Sequence, residues 1–296
     1  MTVDFIYEFL NSFFPNMSGS ELFLVLSMLI PFFALFGFIT VYGFGVIYAE
    51  LKVSSFIQDK TGPMGQGYGF HAGKWGVLQP VADGLHLFFK EDIIPATADK
   101  PLFILAPFLI FIGMFVGIIA IPFGEAIIIA DMNIGIFYIL GVGSLAVIAL
   151  ILAGWSSNNK WALYGGMRSA AQIVSYEIPA GLSLIVVILL ASSLSMQEII
   201  AYQAGGMFNW IIFDNPFMPI SFVIFFISAL AETNRTPFDL PESESELVAG
   251  FVTEYSGARY AFFFLSEYVN MFVISSVAAT AFLGGRQSPF PNFLNS

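Results

Sequence analysis

The sequence predicts an all-α polytopic membrane protein, and three observations predict it. Of 296 residues, 57% are apolar and 10% charged, with mean hydropathy +0.83, whereas soluble domains carry about 25% charged residues. Apolar stretches recur at close to the ~20 residues a helix needs to cross hydrocarbon. The basic residues gather in alternate connecting segments. A water-soluble globule of this composition would expose large apolar patches. The chain has no Cys, which excludes disulfides, thiolate metal sites and iron–sulfur ligation by its own residues. Its net charge of −11 argues against a nucleic-acid partner.

Residues 1–19 carry Asp4 and Glu8 and no basic residue, so they do not read as a signal peptide. Val3, Phe5, Ile6, Phe9, Leu10, Phe13 and Phe14 recur at helical spacing. That predicts an amphipathic helix on a membrane surface or against a neighbouring subunit. Six apolar spans follow, near 21–48, 102–122, 134–154, 174–194, 217–232 and 260–283. They are read as one membrane domain over 1–296, with no internal repeat. The cytoplasmic segments are 49–101, 155–173 and 233–259, the last opened by Glu232. They hold Lys52, Lys60, Lys74, Lys90, Lys100, Lys160, Arg168, Arg235 and Arg259, leaving only Arg286 on the other side. The positive-inside rule then places the N-terminus outside a multi-pass inner (cell) membrane protein.

Segment 49–101 contains a second amphipathic pattern. Leu78, Val81, Leu85, Phe88 and Phe89 make one face, with Asp83, His86 and Lys90 off it. The glycines of 62–70 follow no strand and precede no Lys-Ser/Thr, so a flexible loop is expected rather than a nucleotide site. His71 and His86 stand too far apart to suggest a metal site, and none is expected.

Carboxylates near hydrocarbon are costly, so their positions carry the most information. Glu50 ends the first span, Glu177 opens the fourth, and Glu267 lies inside the sixth. Glu232, Asp239, Glu242, Glu244, Glu246 and Glu254 crowd into 23 residues with one Arg, interleaved with Phe238, Leu240, Leu247, Val248 and Phe251. Pro237 and Pro241 stiffen the backbone there. A rigid, half-apolar acidic segment is unlike a disordered tail. Carboxylates crowded out of water cannot all ionise, and such groups pass protons along.

Four stretches carry a resemblance. ETNRTPFDLPESESELVAGFVTEYS at 232–256, QPVADGLHLFFKEDIIP at 79–95, Ser175-Tyr176-Glu177 and FLSEY at 264–268 resemble motifs of the H-subunit family of respiratory complex I. That complex is the proton-pumping NADH:quinone oxidoreductase. The resemblance covers about residues 20–285. It implies a subunit that forms the membrane side of the quinone chamber and begins the carboxylate chain coupling quinone reduction to proton pumping. Glu50, Lys60, Arg235, Asp239 and Glu244 would then lie about the chamber. Glu177, Glu232, Glu242 and Glu267 would be relay positions. The implied substrate is ubiquinone or menaquinone, with flavin and iron–sulfur clusters on partner subunits. The implied partners are the hydrophilic-arm quinone module, small membrane subunits of the same complex and membrane lipids. The equivalent subunit of a membrane-bound hydrogenase or related ion-pumping complex is the alternative, and the dense acidic loop favours the first reading over the hydrogenase.

This sequence departs from the family pattern in places. Glu50-Leu51-Lys52 stands where the family has Glu-Arg-Lys, and Lys60 stands for an Arg. A Lys cannot repeat a bidentate guanidinium contact. The glycine-rich loop 64–76 is longer and lacks the usual Asn. The family fold has eight spans against six read here, so the chain is expected to be a piece of a longer one.

Overall fold

A computed structural model of the chain describes residue 11 and residues 21–63, 75–124 and 127–290, with backbone alone for 21–28, 31, 242, 244 and 245. The N-terminal amphipathic segment, apart from Asn11, lies outside the described residues, as do His71 and most of the glycine-rich loop. In chain order the helices are α1 (Glu21–Ile57), α2 (Gln79–Phe89), α3 (Lys100–Gly117), α4 (Gly135–Gly143), α5 (Leu145–Ser156) and α6 (Lys160–Ala191). They continue with α7 (Met196–Tyr202), α8 (Ile211–Asp214), α9 (Met218–Glu232), α10 (Glu244–Leu247) and α11 (Gly257–Phe282). No strand occurs among the described residues.

Five stretches are long and apolar enough to span a bilayer: Phe32–Ile57, Lys100–Ala120, Gly135–Ser156, Lys160–Ala191 and Gly257–Phe282. α9 is a shorter apolar helix of 15 residues. Each apolar stretch read from the sequence is thus met by helix, and the protein is an all-α polytopic membrane protein. The main difference is at the fourth span. Its helix begins at Lys160 rather than near 174, leaving only 157–159 between it and α5. Hydropathy locates where a helix enters lipid, not where it starts. The first turns of α6 have lower hydropathy, with Lys160, Gly165, Gly166 and Arg168 among apolar residues, and are still helical because Asn159 caps them, its Oδ1 accepting from the Trp161 N–H at 2.9 Å. The third span is interrupted at Ser144, between α4 and α5.

The described residues fall into two compact units. One holds Ile94–Glu254 and the chain from Asn270 on; the other holds the described residues up to Ile93 together with Tyr255–Val269. In the first unit α5 and α6 form a close hairpin. A Cβ on Gly154 would sit 2.6 Å from the Ala162 carbonyl oxygen, and one on Gly166 would sit 2.8 Å from that of Leu150. Small residues permit this approach, the usual route to tight packing where lipid removes the hydrophobic drive between helices. Gln203, fully buried, bolts the loop after α7 to the end of α11. Its Nε2 donates to the Thr280 oxygen at 2.8 Å, and its Oε1 accepts from the N–H groups of Gly284 at 2.9 Å and Ile211 at 3.2 Å.

In the second unit α2 is the amphipathic helix the sequence predicts. Gly84 packs on Phe44 of α1, while Phe88 and Phe89 are 64% and 87% exposed. The segment after α2 is latched to the start of α11. Ser256 Oγ accepts from the Ile93 N–H and donates to the Glu91 oxygen, both at 3.2 Å, and Arg259 pairs with Asp92 at 3.3 Å.

Candidate functional site

The first unit carries Glu177 and Glu232. Glu177 lies on α6 one residue after Tyr176, whose ring meets Phe238 edge-on at 5.2 Å between centroids. Glu232 is the last residue of α9 and is partly buried. It borders a cavity of about 30 Å³ lined otherwise by Gly113, Gly117, Gly143, Asn270 and apolar side chains. That volume admits one or two waters. The glycines leave room there: a Cβ on Gly143 would sit 3.9 Å from Glu232 Oε1.

The acidic loop is held against α6 by backbone and amide contacts. Gln172 Nε2 lies 2.8 Å from the Ala231 oxygen, 2.8 Å from the Phe238 oxygen and 3.1 Å from Asn234 Oδ1. The Asn234 amide donates to the buried Ser169 Oγ at 3.3 Å. Asn234 has φ +50°, a conformation Asn tolerates better than most residues. Farther along, Gly250 abuts Gly165 so closely that a Cβ on Gly165 would lie 2.5 Å from the Gly250 Cα. Phe251 beside it is 1% exposed. Asn159 Nδ2 donates to Glu254 Oε1 at 2.6 Å, and Arg168 pairs with Glu246 at 2.6 Å. The acidic segment is therefore a packed loop, as its interleaved apolar residues predict.

Arg235 is half-buried. Its N–H donates to the Leu230 oxygen at 3.1 Å, and its oxygen accepts from the Phe238 N–H at 2.7 Å, which closes the turn. Asp239 is exposed. Glu242 and Glu244 end a 3₁₀ turn and begin α10 respectively, and their side chains lie outside what the structure describes.

The second unit carries Glu50, Lys60 and Glu267. The Tyr268 hydroxyl donates to Glu50 Oε2 at 2.8 Å across 218 residues of sequence. Tyr268 itself is 3% exposed, and Glu267 precedes it on α11. Lys60 is exposed and donates to Gln58 Oε1 at 2.9 Å. Lys52 instead fixes the turn after α1, its Nζ donating to the oxygens of Thr61 at 3.2 Å and Pro63 at 3.1 Å.

The residues that sequence reasoning passed over are neutral: Gln172, Asn234, Ser169, Tyr268 and Asn270. Gln172 and Asn270 do leave a trace, as lone amides in apolar helical runs. Such groups need a partner in a poorly solvated place. Among the described residues, no group of three His, Asp or Glu side chains is placed to hold a metal ion.

The comparisons with known proteins agree in one direction. A family model described as NADH dehydrogenase matches residues 28–295. The H subunit of the NADH-quinone oxidoreductase of Chlorobaculum tepidum is 53% identical over 248 residues, or 83% of this chain and 67% of that relative. The H subunit of the Anaeromyxobacter dehalogenans oxidoreductase is 50% identical over 82% of this chain, which matches 58% of its length. An H subunit from Geobacter sulfurreducens is 45% identical over 92% of this chain and 80% of its own.

Proposed function

Because the chain belongs to the NADH dehydrogenase family, we propose that it serves as the H subunit of a proton-translocating NADH:quinone oxidoreductase. In this role it forms the membrane side of the quinone chamber and carries the first carboxylates of the coupling relay. The substrate is a lipid-soluble quinone. Electrons reach it from flavin and iron–sulfur clusters held by partner subunits of the hydrophilic arm, and small membrane subunits and lipids surround the chain. The basic segments 49–101, 155–173 and 233–259 face the cytoplasm and the N-terminus lies outside, as the charge asymmetry indicates.

The observation that carries this reading is the place of Glu232, at the end of an apolar helix and against a cavity large enough for water, in the same unit as Glu177. Carboxylates withdrawn from bulk water and reached by single waters are the groups that pass protons along within a membrane. A negative charge formed at a reduced quinone acts on them through a low dielectric and changes their proton occupancy. Arg235 and Asp239, on the loop next to Glu232, and Glu50, Lys60 and Glu244 line the quinone side. Glu242 and Glu267 continue the relay. In the second unit, Tyr268 holds the Glu50 carboxylate by a hydrogen bond and so fixes its orientation.

The test is Glu232→Gln and, separately, Glu177→Gln in the assembled complex in membrane vesicles. Each amide keeps the shape of the carboxylate and removes its proton chemistry. Protons moved per electron should fall while NADH oxidation by an artificial acceptor is unchanged. Full pumping in both variants refutes the relay assignment.

A further inference from the structure

Gln172 touches both ends of the turn between Glu232 and Asp239. It sits on α6 in the first unit, half-buried. Its amide nitrogen faces three oxygens: the Ala231 carbonyl at 2.8 Å, the Phe238 carbonyl at 2.8 Å and Asn234 Oδ1 at 3.1 Å. Three acceptors about one end of the side chain settle which end is nitrogen. Ala231 precedes Glu232, and Phe238 precedes Asp239. The amide has two hydrogens for three acceptors, so one hydrogen is always shared. Both hydrogens are engaged at once, so the Ala231 and Phe238 carbonyls are held to one side chain. Ser169, one turn earlier on α6, steadies it by accepting from Asn234 at 3.3 Å.

The geometry points to Gln172 as a positioning residue for coupling: its carboxamide ties the carbonyl before Glu232 to the carbonyl before Asp239, so that displacement of the 235–239 loop is passed to the Glu232 carboxylate. The inference rests on the chamber and relay reading above. Gln172 touches neither quinone nor proton; it acts by fixing Glu232 relative to the loop. Loss of the amide leaves both carbonyls without this donor and lets loop and carboxylate move independently. The consequence is electron transfer without its full proton yield.

The experiment compares Gln172→Met with wild type and Glu232→Gln in the whole complex in membrane vesicles. Met matches the length of Gln and has no donor. The readouts are NADH oxidation by an artificial acceptor, quinone KM, and protons per electron. The expected result is unchanged acceptor activity, a quinone KM within about twofold, and a fall of about twofold or more in protons per electron. A merely structural role lowers the amount of assembled complex and all rates together at a constant proton ratio, and that result overturns the proposal. If Glu232→Gln loses pumping while assembled Gln172→Met pumps normally, the coupling role fails and the relay reading stands. If Glu232→Gln pumps fully, both fail. Should Gln172→Met not assemble, Gln172→Asn decides, because its amide is one methylene shorter and cannot reach the Ala231 and Phe238 carbonyls together. A lowered proton ratio in it supports the proposal, and a wild-type ratio overturns it.

Discussion

Replacing Gly165 by Ala should loosen the acidic loop from α6. The added Cβ would lie 2.5 Å from the Gly250 Cα, 2.6 Å from the Phe251 N and 2.7 Å from the Gly250 carbonyl carbon. Carbon atoms pack best at about 3.5–4.0 Å, so helix and loop must part by about 1 Å. All three clashing atoms are backbone, and no side chain can swing aside. Phe251 and Leu247 are 1% and 3% exposed, and lifting the turn opens space beneath them. Overpacking of this kind costs about 1–3 kcal/mol. Alanine regains about 0.5–1 kcal/mol of that through its better helix propensity, so the net loss lies between about 0 and 2.5 kcal/mol and centres on about 1 kcal/mol. Gly181, on the same helix, has nothing within 4 Å of an added Cβ. Gly181→Ala is therefore the control and should be neutral or slightly stabilising. The assay is cleavage of the complex by a Glu-specific protease, which attacks 242–246 when the loop lifts, together with the temperature of half-inactivation. Gly165→Ala should be cut faster and inactivate several degrees lower, at ~2–4 °C per kcal/mol. Wild-type behaviour in both assays would refute the close approach of Gly165 to Gly250.

Tyr268→Phe removes the hydrogen bond to Glu50. The carboxylate is largely exposed, so the loss is about 1 kcal/mol, and a rise of about fivefold in quinone KM is expected with normal assembly. An unchanged KM would remove Glu50 from the chamber. Arg168→Ala breaks an ion pair whose side chains are 48% and 54% exposed. Less than about 1 kcal/mol is at stake, so half-inactivation should match wild type at physiological salt. Gln203→Met strands the N–H groups of Ile211 and Gly284 in a buried place. Each costs about 1–3 kcal/mol, so thermal inactivation should come markedly earlier while quinone KM and the proton ratio stay constant.

Composition and local pattern set the class of the protein and the type of its elements. Charge is scarce, and apolar runs long enough to cross a bilayer have one stable backbone solution, because every amide in lipid must be bonded within its own segment. The amphipathic α2 was legible for a related reason: a helical stripe is a local pattern. So was the packed character of the acidic loop, since apolar residues spaced among charges must be buried somewhere. Carboxylates at the ends of spans marked Glu50, Glu177 and Glu232 as unusual without any knowledge of their neighbours.

Tertiary structure alone decided who meets whom. Tyr268 and Glu50 are 218 residues apart. Gln172 reaches acceptors 59, 62 and 66 residues away. No periodicity encodes such pairings, which depend on how rigid helices dock. The early start of α6 is hidden because Lys160, Arg168 and two glycines lower the hydropathy of its first turns, while the Asn159 cap and close contact at Gly154 and Gly166 make them helix. Nothing in the sequence around Gly165 marks it apart from other glycines; the approach of Gly250 does. A local pattern fixes what an element is, because its hydrogen bonds close within a few residues. Which faces touch is fixed by shape and by the need to satisfy buried amides, and those conditions exist only once the helices are assembled.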